Sequence, residues 1–110
     1  MTAARLLPAA LAVTVALAAS AAVAADRAAG RAKAKMCIAC HAINGASLRP
    51  DAPHLWGQVE LYLAEQLRAY RSGERKSEVM KIIAAPLSDE DIDNLAAWFA
   101  GIPVVVEPAE

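Results

Sequence analysis

Aromatic side chains are scarce in this 110-residue chain: one Phe, two Trp and two Tyr. A domain so short and so poor in large apolar groups cannot be held by a hydrocarbon core alone. It needs a staple such as a disulfide, a metal or a cofactor. Ligating side chains are few as well, with two Cys and two His in all. Structural zinc takes four such ligands, so a zinc site would have to recruit nearly every one of them. An excess of either charge sign is also missing. Eleven basic residues face twelve acidic ones, which is no nucleic-acid-binding balance. No segment alternates apolar and polar residues convincingly enough to be a strand. No internal repeat or linker points to a second domain.

What is abundant is alanine, much of it at the start. "MTAARLLPAALAVTVALAASAAVAAD" carries Arg5, then an apolar run from Leu6 to Ala19, then small residues to Ala25. This is the layout of a secretory signal peptide over residues 1–25, with cleavage just before Ala25 or Asp26. The competing reading is an uncleaved membrane anchor, because the apolar stretch nearly suffices to span a bilayer. The run of small alanines, with no charge just behind it to stop transfer, favours export to the periplasm. The 57% hydrophobic figure therefore overstates the core, since the leader supplies much of it. Residues 26–110 form one small domain with ten basic and twelve acidic residues and no membrane span after cleavage.

Within that domain, "DRAAGRAKAKMCIAC" reads as a first helix rich in good helix formers, interrupted by Gly30. Ala42 to Gly57 contains an Asn-Gly pair and two prolines, so it is an irregular loop, long enough to suggest a functional one. "QVELYLAEQLRAYRSG" reads as a second helix with Val59, Tyr62, Leu63, Gln66, Leu67 and Tyr70 on one face and Gly73 at its end. "ERKSEVMKIIAAP" reads as a second irregular stretch. The last helix has Ser88 as cap, Asp89, Glu90 and Asp91 in its first turn, and Gly101 with Pro103 behind it. Its apolar stripe is Ile92, Leu95, Ala96 and Phe99, with Trp98 beside it. The fold class is all-α.

Both cysteines lie in "MCIACH", residues 36–41. Three chemistries compete for Cys37, Cys40 and His41. A local disulfide suits an exported protein, but a redox-active pair normally accompanies a β-α-β pattern, and none is present. Zinc would require adjacent Cys40 and His41 on one tetrahedral ion, with His54 completing the set. The third reading is covalent haem, for which C-x-x-C-H is the attachment signature. One helical turn separates the sulfurs by about the spacing of the vinyl groups they join as thioethers. The following imidazole then meets the iron as proximal ligand. A large flat apolar cofactor also supplies the core that so few aromatics cannot. The loops become its wrapping.

The distal face of the iron has Met36, His54 and Met80 to choose from. Met36 belongs to the proximal side, beside the cysteines. His54 follows by only a short loop and reads as an exposed histidine. Met80 lies far enough beyond His41 for the chain to pass around the ring. A thioether there raises the reduction potential and suits electron transfer.

The chain resembles the class I c-type cytochromes, in particular the short bacterial monohaem branch related to the halves of diheme periplasmic cytochromes. The matching stretches are "AGRAKAKMCIACH", "NG", "PHLWGQ…YLAEQLRAYRSGER", "VM" and "LSDEDIDNLAAWFAG". The resemblance implies a cytochrome c-like fold of three to four helices and irregular loops around one covalently bound haem c. It implies that Pro53 lies near the proximal histidine, whose ring N–H a nearby backbone carbonyl accepts, that Leu55 packs on the haem, and that Gly30 lets the first helix cross the last one closely against Trp98 or Phe99. His54 and Trp56 depart from the family's usual residues, and "IPVVVEPAE" runs past its usual end.

The expected function is single-electron transfer between a redox protein donor and acceptor, by an electron carrier and not an enzyme. Its docking is expected to be small and transient. Ile38, Ala39, Ile82 and Ile83 are candidates for an apolar rim. Arg68, Arg71, Arg75, Lys76 and Lys81 are candidates for steering an acidic partner. Two alternatives stand beside it. One is the cytochrome subunit of a periplasmic dehydrogenase, for example one oxidising sulfur compounds. The other is a haem gas sensor, which needs a displaceable sixth ligand.

Overall fold

A computed structural model describes Met1 and residues 22–109. Most of the leader expected over 1–25 lies outside the described residues. The described chain begins its regular structure at Asp26, whose carboxylate accepts from the amides of Ala28 and Ala29 at 2.8 and 3.1 Å. This cap starts α1 (Arg27–Lys33), two of whose otherwise unpaired donors it satisfies. The expected single helix to Cys40 is in fact three pieces: α1, a 3-10 turn over Ala34–Met36, and α2 (Ile38–His41). Propensity is uniformly helical here and carries no sign of the break. The junction instead falls at Ala34, which is wholly buried in the core.

The loop from Ala42 to Val59 has no regular element. Gly45 (φ 72°) and Gly57 (φ 59°) sit in left-handed conformations that its turns require. The Leu55 amide donates to the Gly45 carbonyl at 2.8 Å and the Gly57 amide to that of Phe99 at 3.0 Å, so the loop is pinned to itself and to the last helix.

α3 (Glu60–Ser72) ends on left-handed Gly73, as expected. Its packed stripe is narrower than the one read from spacing. Leu63 and Ala64 are buried and Leu67 and Tyr70 pack on the core, whereas Val59 precedes the helix and Tyr62 is exposed. The stretch expected to be irregular contains α4 (Glu78–Ala84), capped by Ser77, whose hydroxyl accepts from the Met80 amide at 3.2 Å. Seven residues show barely two turns of periodicity, too few to reveal a helix against charged flanks.

α5 (Asp89–Ala100) carries a reciprocal capping box. Ser88 Oγ accepts from the Asp91 amide at 3.0 Å, and the Asp91 carboxylate accepts from the Ser88 amide at 3.1 Å. Its expected stripe of Ile92, Leu95, Ala96 and Phe99 is buried in full, together with Asn94 and Ala97. Thus five α-helices, with no strand among the described residues, stand where three to four were expected.

α5 is the hub, with α1 crossing one side of it and α3 packing on another. Gly30 makes the first crossing feasible: a methyl group there would overlap the Asn94 carbonyl and press on Trp98 Cβ. Polar ties hold the same crossing. The Asp26 amide donates to Asn94 Oδ1 at 2.6 Å, Lys33 pairs with Asp91 at 3.0 Å, and Arg27 donates to the Gly101 carbonyl at 2.8 Å. On the other side Arg68 pairs with Asp93, and Arg71 with Asp89, each at 2.6 Å. No helix among the described residues is long and apolar enough to cross a membrane.

Candidate functional site

Cys37 caps α2 and Cys40 lies within it, so one turn of backbone carries both thiols and delivers His41 at its end. The Cys40 and His41 amides both donate to the Cys37 carbonyl, at 3.2 and 2.9 Å, which closes that turn. Both cysteines are half-buried and are not bonded to each other. Burial pushes the Cys37 thiol up to about 11, with the nearby Cys40 adding to the effect. Such a thiol stays protonated near neutrality, unlike the low-pKa thiolate of a redox nucleophile. Ser47, itself buried, donates its hydroxyl to the Cys40 carbonyl at 2.8 Å and ties the following loop to the turn.

His41 is 7% exposed, and its Nδ1 donates to the Pro53 carbonyl at 2.8 Å. A carbonyl only accepts, so the bond places the proton on Nδ1 and leaves the Nε2 lone pair available for a metal. The loop behind α2 thereby orients the imidazole at that helix's end. Directly behind His41 the backbone of Ala42 takes φ 58° and ψ 161°, a region other residues leave to glycine.

Met80 is half-buried in the first turn of α4, held there by the Ser77 cap. Leu55 is half-buried and packs against the protein's own core cluster. His54 is exposed and stacks on Trp56, ring centres 5.2 Å apart. Met36 lies at the end of the 3-10 turn, exposed. Among the described residues no three His, Cys, Asp or Glu side chains converge as a metal site would require. A zinc ion would need Cys37, Cys40, His41 and His54 gathered together, and these four are not so gathered.

The side chains present fit a covalent haem. Two thiols and an oriented imidazole sit on one turn, which is the donor set that attachment and axial ligation demand. Large apolar groups stand exposed on α2, on the loop behind it and on the helix that bears Met80: Ile38, Leu48 (97% exposed), Val79 and Ile82 (73% exposed). Nothing in composition singled out Ser47 or Asn94. A lone serine in a loop, and an asparagine beside an apolar stripe, read as solvent-facing until the fold places them.

The cytochrome c family model matches residues 25–102 of the chain. Cytochrome c-554(548) of Halomonas halodenitrificans is 44% identical over 78 residues, which cover 68% of this chain and 94% of that one. The thiosulfate dehydrogenase electron acceptor of Thiomonas intermedia is 39% identical over 84 residues, 74% of this chain and 38% of that one. The crystal structure of reduced cytochrome c4 from Pseudomonas stutzeri superposes with a TM-score of 0.71 at 36% identity. It is covered to half its length by 79% of this chain. With this match and this site, the chain belongs to the cytochrome c family, as a class I c-type cytochrome that carries covalently bound haem c and transfers electrons.

Proposed function

We propose that this chain is an exported one-haem electron carrier of the periplasm, in which Cys37 and Cys40 hold the haem as thioethers and His41 and Met80 are the axial ligands. Residues 1–25 would serve as the signal peptide and residues 26–110 as the functional domain. The observation that carries this reading is the bond from His41 Nδ1 to the Pro53 carbonyl, at 2.8 Å. It fixes the imidazole in orientation with Nε2 turned away from the carbonyl, one turn from the two thiols. Ser77 supports the Met80 assignment by fixing the turn that bears it. Leu55 and the Pro53 segment would contribute to the apolar wall around the ring.

Haem iron supplies a one-electron ferric–ferrous couple, and a methionine ligand biases it toward the reduced state. The protein's part is to hold both ligands in place, keep water from the metal and present an edge for transient docking. If His41 and Met80 both held the iron, no position would be left for a substrate or gas, which would count against the sensor alternative.

A second reading rests on the likeness to a thiosulfate dehydrogenase electron acceptor. Here the chain would accept electrons from a sulfur-compound dehydrogenase, either as a free carrier or as its subunit. A potentiometric titration of the exported protein should follow a single one-electron Nernst curve, and intact mass should show one covalent haem on a chain beginning near Asp26. Reduction by a dehydrogenase that co-purifies in equal amount would favour the subunit form. A chain that leaves the export pathway uncleaved, or releases its haem to acidified organic solvent, would overturn the reading.

A further inference from the structure

The end of α5 carries two features that electron transfer leaves unused. One is a cleft of about 330 Å³, lined by Arg27, Arg31, Ile43, Trp98, Ile102 and Pro103 among others. Its floor is fixed, because Trp98 Nε1 donates to the Ile43 carbonyl at 3.3 Å. On its rim the Arg31 guanidinium lies 5.6 Å from the centre of the Trp98 ring, and Arg27 is turned to the Gly101 carbonyl. Neither arginine is in ion-pairing distance of a carboxylate among the described residues. The cleft is therefore apolar at its base and positively charged at its edge.

The other feature is the extended segment behind Pro103. Val104 rests over Gly57, where even one added methyl would collide with it. Beyond it Val105 and Val106 are 89% and 82% exposed, followed by an exposed Glu107 that has no ion pair among the described residues. Successive branched apolar residues in extended, unpaired backbone are a surface that proteins ordinarily cover.

We propose that the cleft of one copy receives the Val105–Glu107 segment of a second copy, giving a two-fold pair in which each tail crosses into the other's cleft. The two surfaces match in both respects that matter. Two valines meet an apolar floor of Trp98 and Ile43, and a carboxylate meets two arginines without acidic partners. The root of the tail, Ile102 and Pro103, also lines the cleft. Receptor and ligand thus share one patch, the condition that an isologous contact imposes. Val104, lodged over Gly57, directs the chain past its own cleft. The four steps from Pro103 to Glu107 reach only about 13 Å when extended. The exchange therefore requires the two clefts to lie side by side.

Sedimentation velocity of the full haem-loaded protein, from about 1 to about 500 μM, tests this pairing. A concentration-dependent dimer is expected. Val106→Asp and Arg31→Glu should each weaken it at least tenfold, which is about 1.4 kcal/mol. Combining Arg31→Glu with Glu107→Arg in one chain should restore much of the loss, while visible spectrum and thermal midpoint stay unchanged. A monomer across the whole range overturns the proposal, as does a dimer that neither variant weakens. A monomer whose tail variants slow electron exchange with a different protein also overturns it, and assigns the patch to that protein instead.

Discussion

Ala42 holds the least comfortable backbone of the described chain, at φ 58° and ψ 161° immediately behind His41. An L-residue there stores about 1–3 kcal/mol of strain, which the flanking turn and loop sustain. Replacing Ala42 by Gly should release more strain than it adds in unfolded-state entropy. The expected gain is about 1 kcal/mol, read as a rise in thermal midpoint with the visible spectrum unchanged. Gly30 is the opposite case. Gly30→Ala would favour the helix by propensity, but its methyl group would meet the Asn94 carbonyl, which is main chain and cannot swing aside. Chemical denaturation should show a loss of about 3 kcal/mol. Spacing within α1 marks Gly30 only as an interruption. That the crossing is with the last helix, against Trp98 or Phe99, came from resemblance; Trp98 is indeed a neighbour, but the main contact, the Asn94 carbonyl, needed the fold.

At the scale of the element, the last helix was the most legible and α4 the least. Ser88, the acidic first turn and the stripe from Ile92 to Phe99 are strong local signals, and each does in the structure what its chemistry suggests. α4 starts from an equally good cap, Ser77, but only Ala84 of its seven residues is buried and Val79 and Ile82 are exposed, so the inward face is too small for periodicity to find. The cations expected to steer a partner divide in two. Arg68 and Arg71 are engaged with Asp93 and Asp89 and clamp α3 to α5. Lys76 bonds the Gly73 carbonyl and Lys81 has no ion pair among the described residues.

The capping box also gives α5 a pH dependence. The Ser88 amide, and then Lys33, hold the Asp91 carboxyl below the usual carboxylate range. A carboxyl depressed in the folded state stabilises above its unfolded value, about 3.9, and loses that contribution as pH falls through the folded value. Asp91→Asn should therefore lower stability at pH 7, by no more than about 1 kcal/mol for so exposed a group. The difference from the parent protein should shrink as the denaturation series is carried to pH values below the ordinary carboxylate range, because the Asp91 carboxyl is held lower still.

For the whole molecule, the scarcity of aromatics proved informative. Among the described residues only Ile92 and Leu95 are large side chains buried to within 2%, and the rest of the core cluster is chiefly alanine and leucine. Such a core is thin for a domain of this size, while Leu48 and Ile82 stand uncovered. The bound haem is expected to complete it. Changing Cys37 and Cys40 to Ala should give haem that acidified organic solvent extracts, and a polypeptide largely unfolded by circular dichroism once the haem is gone. A well-folded haem-free chain would show that the protein core suffices. What neither sequence nor fold encodes is the identity of the redox partners, because transient docking surfaces are small and carry no motif.

The central claim is that His41 and Met80 ligate the iron, and the ferric absorption spectrum addresses it most directly. A weak band at about 695 nm reports an iron–methionine bond. The exported protein should show this band, and Met80→Ala should lack it while retaining covalently attached haem. Persistence of the band in that variant would contradict the assignment and move the sixth ligand to another side chain.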